Sequence, residues 1–134
     1  MEFSMLTAAD LMKAEVQWIA RGQPLQAAAS RMQATGLRCL LISNEPDRLP
    51  GILTSKDIVN LVADDGLQTL DSLTVGDLMA SPAICIPKQA GIIDCIQTMR
   101  IAGVRRLPVL DGITVIGMLS STDVFEAIVR SVKG

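Results

Sequence analysis

Two short segments carry the side chains best suited to hold a ligand, Thr54-Ser-Lys-Asp57 and Ser120-Ser-Thr-Asp123. Each puts a hydroxyl three residues ahead of a carboxylate. A carboxylate at the start of a helix can accept two hydrogen bonds from a cis-diol, and charged acceptors make the stronger bonds. The hydroxyl can donate or accept at the same sugar. The same residue types also cap helices, and a cap stabilises by roughly 0.5–2 kcal/mol, with the acid favoured by the helix dipole. Capping alone would account for one occurrence. Recurrence at matching places in a repeat leaves capping alone insufficient to choose between the two uses, which are compatible.

The repeat covers the chain. Thr7-x-x-Asp10-Leu11-Met12 returns as Thr74-x-x-Asp77-Leu78-Met79, 67 positions later, and at that displacement Met32 meets Met99, Gly36 meets Gly103 and Arg38 meets Arg105. One residue then drops out, so that Gly51-Ile-Leu-Thr54-Ser-Lys-Asp57 aligns with Gly117-Met-Leu-Ser120-Ser-Thr-Asp123. A period this long, present twice, indicates a pseudo-symmetric pair and not a solenoid. The expected organisation is a first repeat over 1–66, a linker over 67–73 and a second repeat over 74–134. Each repeat alone would be marginal, so a shared core is expected.

Composition narrows the chemistry. The 134 residues contain no histidine, which removes the commonest general base and metal ligand. No catalytic residue and no metal site is expected, since neither a P-loop nor a dinucleotide fingerprint is present and no nucleophile–base spacing stands out. Cys39, Cys85 and Cys95 lack CxxC spacing and sit among apolar neighbours, as small core residues do. Net charge is −2 with scattered basic residues, and aromatics are 2%, against a nucleic-acid partner. No apolar run reaches the roughly 18 residues of a membrane span, and Met1-Glu-Phe-Ser-Met does not resemble a signal peptide, so a cytoplasmic location is expected. Apolar residues at 49% and a mean hydropathy of +0.40 then suggest a buried subunit interface.

The elements that position the two segments follow from periodicity. Each repeat opens with a capped turn, Thr7/Asp10 or Thr74/Asp77, then an extended piece, 16–19 or 83–86. Leu25, Ala28, Ala29 and Met32 share a helical face, as do Ile92, Cys95, Ile96 and Met99, and both helices stop at a glycine, Gly36 or Gly103. Two extended runs form hairpins, 38–43 with 49–53 and 105–110 with 113–119. Asp111-Gly112 is a tight turn signal, whereas 44–48 is a looser loop. A last helix starts at Thr54 or Ser120 and should turn Ile58, Leu61 and Val62, or Val124, Ala127 and Ile128, inward. The fold class is α/β (α+β): two β-α-β-β-α repeats, with small sheets packed against helices on one side.

The leading Asp-Leu-Met, the helix ending in glycine, Gly-Val-Arg-Arg-Leu-Pro-Val at 103–109 and the closing Gly-h-h-Ser/Thr-x-x-Asp resemble a cystathionine-β-synthase (CBS) domain. Two in tandem resemble a Bateman module. The second copy fits better. The first departs at Cys39, Leu41 and Gln17-Trp18. The resemblance implies clefts between the repeats that bind AMP, ADP, ATP or S-adenosylmethionine as regulatory ligands, with no cofactor and no enzymatic activity. It also implies pairing of two modules into a homodimer. The chain ends at Ser131-Val-Lys-Gly134 without an effector domain, so the regulated partner is expected in trans or on a portion beyond this sequence. By resemblance Thr54, Asp57, Ser120 and Asp123 are ribose-binding positions, and Arg38, Arg105, Arg106 and Lys56 are phosphate-binding. Alternation along a strand allows one of Arg105 and Arg106 to face a given cleft. Lys56 reads more readily as an exposed helix lysine. Gln17, Trp18 and Ile19, with Ile84, Cys85 and Ile86, would line the adenine pocket, although a lone tryptophan is more often core or interface. The differences at Trp18 and Cys39 predict two sites of unequal affinity. The alternative function is a dimerising scaffold without ligand.

Overall fold

The computed structural model describes residues 2–44 and 48–133. In chain order, after a 3-10 turn at Phe3–Met5, the elements are α1 (Ala8–Leu11), α2 (Leu25–Thr35), β1 (Cys39–Ile42), β2 (Gly51–Thr54), α3 (Ser55–Asp65), α4 (Thr69–Ser72), α5 (Val75–Leu78), β3 (Ile86–Pro87), α6 (Ile92–Ala102), β4 (Arg106–Asp111), β5 (Thr114–Ser120) and α7 (Ser121–Lys133). Helices and small sheets are mixed, as expected. The compact units, however, are not the sequence repeats. One spans Gln17–Ala83, and the other joins Met1–Val16 to Ile84–Gly134.

In the unit Gln17–Ala83, β1 and β2 pair antiparallel from Cys39↔Thr54 to Ile42↔Gly51. The expected strand 16–19 contracts to one parallel bridge, Trp18↔Leu41, in which Leu41 N donates to Gln17 O and Ile19 N to Leu41 O, each at 2.9 Å. A turn closed by Gln23 N on Ala20 O ends it at once. Helix α2 buries Leu25, Ala28 and Met32 as its periodicity requires, and Gly36 takes the left-handed conformation (φ 72°) that ends it. Helix α4 lies inside the segment expected to be a plain linker. It is held by Thr69 Oγ1 donating to Gly66 O at 2.7 Å and by Leu70 and Leu73 against the core. Of the loop expected at 44–48, residues 45–47 lie outside the described residues.

The other unit repeats this plan with longer strands. Sheet order is β3-β4-β5, with Ile86↔Val109 parallel and β4–β5 antiparallel from Arg106↔Ser120 to Asp111↔Thr114. The extended piece expected at 83–86 is a strand only at Ile86–Pro87; Pro82 before it and Pro87 within it have no N–H to donate. The hairpin loop is the two-residue Gly112-Ile113, with Gly112 at φ 64°. A bulge after Val109 leaves Ile116 unpaired, since Val109 faces Gly117 and Leu110 faces Val115. Helix α7 turns Val124 and Ala127 inward, but Ile128 is 40% exposed and not inward as expected. Position 128 falls at the margin of an inward stripe centred on Val124 and Ala127.

Each unit has its own core, which corrects the expectation of a shared one. Ile19, Leu25, Ala28, Met32, Leu40, Ile42, Leu53, Ile58 and Val75 form one. Ala8, Ile86, Ile92, Cys95, Met99, Leu107, Val109, Leu119 and Val124 form the other. Fully burying a Leu or Ile is worth about 1.5–3 kcal/mol, and each cluster contains several such side chains. The leading turns are exchanged. Helix α1, from the first repeat, supplies Ala8 to the core of the second repeat's strands, while α5, from the second repeat, supplies Val75 to the first. Both leaders start with closed capping boxes, Thr7 with Asp10 and Thr74 with Asp77. The Thr74 amide, then its hydroxyl, hold the Asp77 carboxyl below its usual range.

Behind each leader a residue exchanges two backbone hydrogen bonds with a strand. Lys13 does so with Met118 (2.9 and 2.8 Å) and Ala80 with Ile52 (both 2.9 Å). Close approach is possible because the strand residue before each contact is glycine. A Cβ at Gly117 would lie 2.6 Å from Met12 Sδ and 2.7 Å from the Lys13 carbonyl oxygen. At Gly51 the tight contact is with flexible Met79 Sδ at 2.7 Å, and the backbone oxygen of Ala80 is at 3.3 Å. Gly117→Ala should therefore destabilise by about 1–3 kcal/mol, and Gly51→Ala by less, because a backbone atom cannot step aside as a thioether can. Urea denaturation of the two variants checks the order.

Candidate functional site

Both hydroxyl–carboxylate segments fall where a strand passes directly into a helix. In the Gln17–Ala83 unit, Thr54 ends β2 and caps α3. Thr54 N donates to Asp57 Oδ2 at 2.8 Å, and Asp57 N donates to Thr54 Oγ1 at 3.2 Å. In the other unit, Ser120 ends β5. Ser120 N and Oγ both donate to Asp123 Oδ2 at 2.9 Å, and Asp123 N donates to Ser120 Oγ at 3.2 Å. The capping box is thus closed in both. Asp57 is half-buried, whereas Asp123 is 6% exposed.

The basic strand starts are tied to these junctions through the backbone. Ser55 N donates to Arg38 O and Ser121 N to Arg105 O, both at 2.9 Å, while Cys39 pairs with Thr54 and Arg106 with Ser120. Arg38 and Arg105 are exposed and Arg106 is half-buried. Lys56 is exposed on the first turn of α3. Each unit therefore gathers its own hydroxyl, carboxylate and guanidinium set.

The adenine candidates divide by burial. Ile19 and Ile86 are core side chains, leaving only their backbones to face a ligand. Gln17 and Cys85 are half-buried, and Ile84 is 48% exposed. Trp18 is 42% exposed and so is not core; its carbonyl accepts from Arg31 Nη1 at 2.9 Å. None of the three thiols is in a disulfide. Burial pushes the Cys85 thiol up to about 11, and burial, followed by the Asp94 charge, also raises that of Cys95.

Lys13 is the residue that sequence reasoning missed. Its Nζ donates to Asp123 Oδ1 at 2.7 Å, so both oxygens of that carboxylate are engaged. The hydrogen bond to Asp123, and then its charge, raise the Lys13 ammonium above the ordinary lysine value of 10.5. A raised pKa places the bridge's contribution below pH 10.5, to be lost as pH rises through the higher folded value. The only signal was positional: 67 residues after Lys13 stands Ala80, so one repeat carries the charge and the other does not.

A cavity of about 340 Å³ lies in the Gln17–Ala83 unit, lined by Arg21, Asn44, Arg48, Leu49, Ser81 and Pro82. It adjoins the Ile42/Gly51 end of the hairpin, opposite the Thr54 junction, and none of the expected site residues lines it.

The CBS domain family matches this sequence twice, at residues 8–64 and 75–130. The chain belongs to the CBS-domain family. It is a tandem CBS pair, a regulatory type of module. Hypoxic response protein 1 of Mycobacterium tuberculosis is 32% identical over 134 residues, covering 96% of this chain and 93% of that protein. The solved structure of Hypoxic Response Protein I with two coordinated zinc ions matches with a TM-score of 0.75 at 31% identity, over 91% of this chain and 98% of that one. A hexameric CBS-CP12 protein from bloom-forming cyanobacteria matches with a TM-score of 0.85 at 27% identity, over 90% of this chain and 67% of that one. The zinc ions are a property of that relative. In this CBS pair, among the described residues, no three His, Cys, Asp or Glu side chains are grouped to hold a metal ion. Nor is any helix among them long and apolar enough to cross a membrane.

At pH 8 a thiol with the Cys85 value is ionised in about one molecule in a thousand. Alkylation of Cys85 by iodoacetamide should therefore be at least about tenfold slower in the native chain than in urea. Peptide mass mapping of the time course checks this.

Proposed function

We propose that this tandem CBS pair is a non-catalytic sensor of an adenine-containing ligand: AMP, ADP, ATP or S-adenosylmethionine. The carrying observation is the junction built twice, in which a boxed hydroxyl and carboxylate stand beside a basic strand start. Asp57 with Thr54, and Asp123 with Ser120, are assigned to the ribose diol. Arg38 and Lys56 in one unit, and Arg105 and Arg106 in the other, are assigned to phosphate, for which guanidinium forks are well suited. Gln17, Trp18 and the Ile19 backbone, with their counterparts Ile84, Cys85 and the Ile86 backbone, are assigned to the base. Ligand binding would then bias a conformational equilibrium by its differential affinity for the two states, and a regulated partner would read the outcome.

Calorimetric titration with the four ligands tests the reading. Occupancy at 100 times the dissociation constant stabilises by about 2.7 kcal/mol, visible as a rise in melting temperature. Asp57→Ala and Asp123→Ala should each weaken one binding event. No heat and no thermal shift with any ligand at millimolar concentration would exclude it.

A homodimer is part of the proposal. Phe125 (63% exposed), Ile128 (40%) and Val132 (81%) stand at i, i+3 and i+7 on α7, and Val59 (65%) on α3 is the repeat counterpart of Phe125. A stripe of this kind on an otherwise amphipathic helix suits a second copy of the chain. The same stripe favours the scaffold reading if ligands fail. Phe125→Glu should shift sedimentation from dimer to monomer, leaving the helical circular dichroism unchanged.

A further inference from the structure

The two carboxylates differ in what occupies Oδ1. Both boxes use Oδ2, through Thr54 N at 2.8 Å and Ser120 N at 2.9 Å, so a diol must be received largely on Oδ1. Among the described residues no lysine or arginine nitrogen forms an ion pair with Asp57. On Asp123 that oxygen already accepts from Lys13 Nζ. The lysine is delivered there by the exchanged leader, whose backbone is pinned to Met118 in both directions. In the other unit the residue pinned in the same way, to Ile52, is Ala80, which carries no charge.

We propose that Lys13 is a specificity residue: it makes the Asp123 side select ligands that carry an anionic group, such as a nucleoside phosphate, over neutral nucleosides. Ala80 leaves the Asp57 side without this demand. The inference rests on the ribose assignment of the two aspartates. Asp123 is 6% exposed, so little water can replace a lost donor, while Lys13 is 66% exposed and can swing away at small cost. A neutral nucleoside offers hydroxyl donors in place of an ammonium, and an ionic partner makes the stronger bond. A nucleotide brings its own anion, onto which the freed ammonium can move, so the ion pair is traded and not lost. The position of Lys13, flexible beyond its pinned backbone, suits such an exchange.

The test uses the full chain with Asp57→Ala, so that the Asp123 side reports alone, titrated calorimetrically with adenosine and AMP. AMP should bind at least about tenfold more tightly than adenosine. Adding Lys13→Ala should raise adenosine affinity about tenfold and change AMP little, narrowing the ratio. Lys13→Met, which keeps the aliphatic stem, should do the same, and melting curves confirm folding. In the otherwise native chain, Ala80→Lys should weaken adenosine binding at the Asp57 side about tenfold. An AMP-to-adenosine ratio unchanged by both Lys13 variants overturns the proposal. So does an Asp57→Ala chain that binds neither ligand while the native chain binds AMP, and in that case the sensor reading survives. Failure of the native chain to bind any adenine ligand removes both.

Discussion

The backbone exchange between each leader and a strand is the contact on which the other features depend. Lys13 and Met118, like Ala80 and Ile52, trade both hydrogen bonds, and this places α1 and α5 against strands of the opposite repeat. Glycine at 117 and at 51 is what lets the chains approach so closely. Remove that approach and Ala8 and Val75, both fully buried, lose their places in the cores. The repeats and the compact units therefore divide the chain at different places. The strands of either repeat depend on a short element from the other repeat, which makes a single repeat an incomplete folding unit.

At the candidate site one local solution closes a helix start and fixes a carboxylate. A strand that runs directly into a helix leaves unpaired amide donors at the helix start. A hydroxyl at the cap and a carboxylate three residues on satisfy two of them, as Thr54 with Asp57 and Ser120 with Asp123 do. The carboxylate is then fixed in direction, with one oxygen committed and the other available for something else. What fills the second oxygen is decided outside the motif. At Asp123 it is an ammonium from the far end of the chain.

Much of this was legible because it is local. Left-handed glycines at 36 and 103, the buried faces of α2 and α6 and the capped starts of α3 and α7 all follow from residue type and spacing, while the tight hairpin expected at Asp111-Gly112 turns one residue later, at Gly112-Ile113. The misreadings have a common origin in longer-range packing. The helix within 67–73 exists because Leu70 and Leu73 find a core, and nothing in the segment's own pattern announces it. Ile128 sits at the margin of its helix's inward stripe, where geometry of packing and not hydropathy decides exposure.

The sequence by itself determined the family, the twofold plan and the two capped helix starts at Thr54 and Ser120, since each rests on short local motifs that recur in order along the chain. It also announced that the copies are unequal, though at Trp18, Cys39 and Leu41. Only the tertiary structure decided where an inequality falls on one of the two carboxylates. Lys13 and Asp123 are 110 positions apart, and an ion pair across that interval has no local signature. It forms because the exchanged leader brings a lysine to one buried carboxylate, and the matching position in the other repeat is alanine.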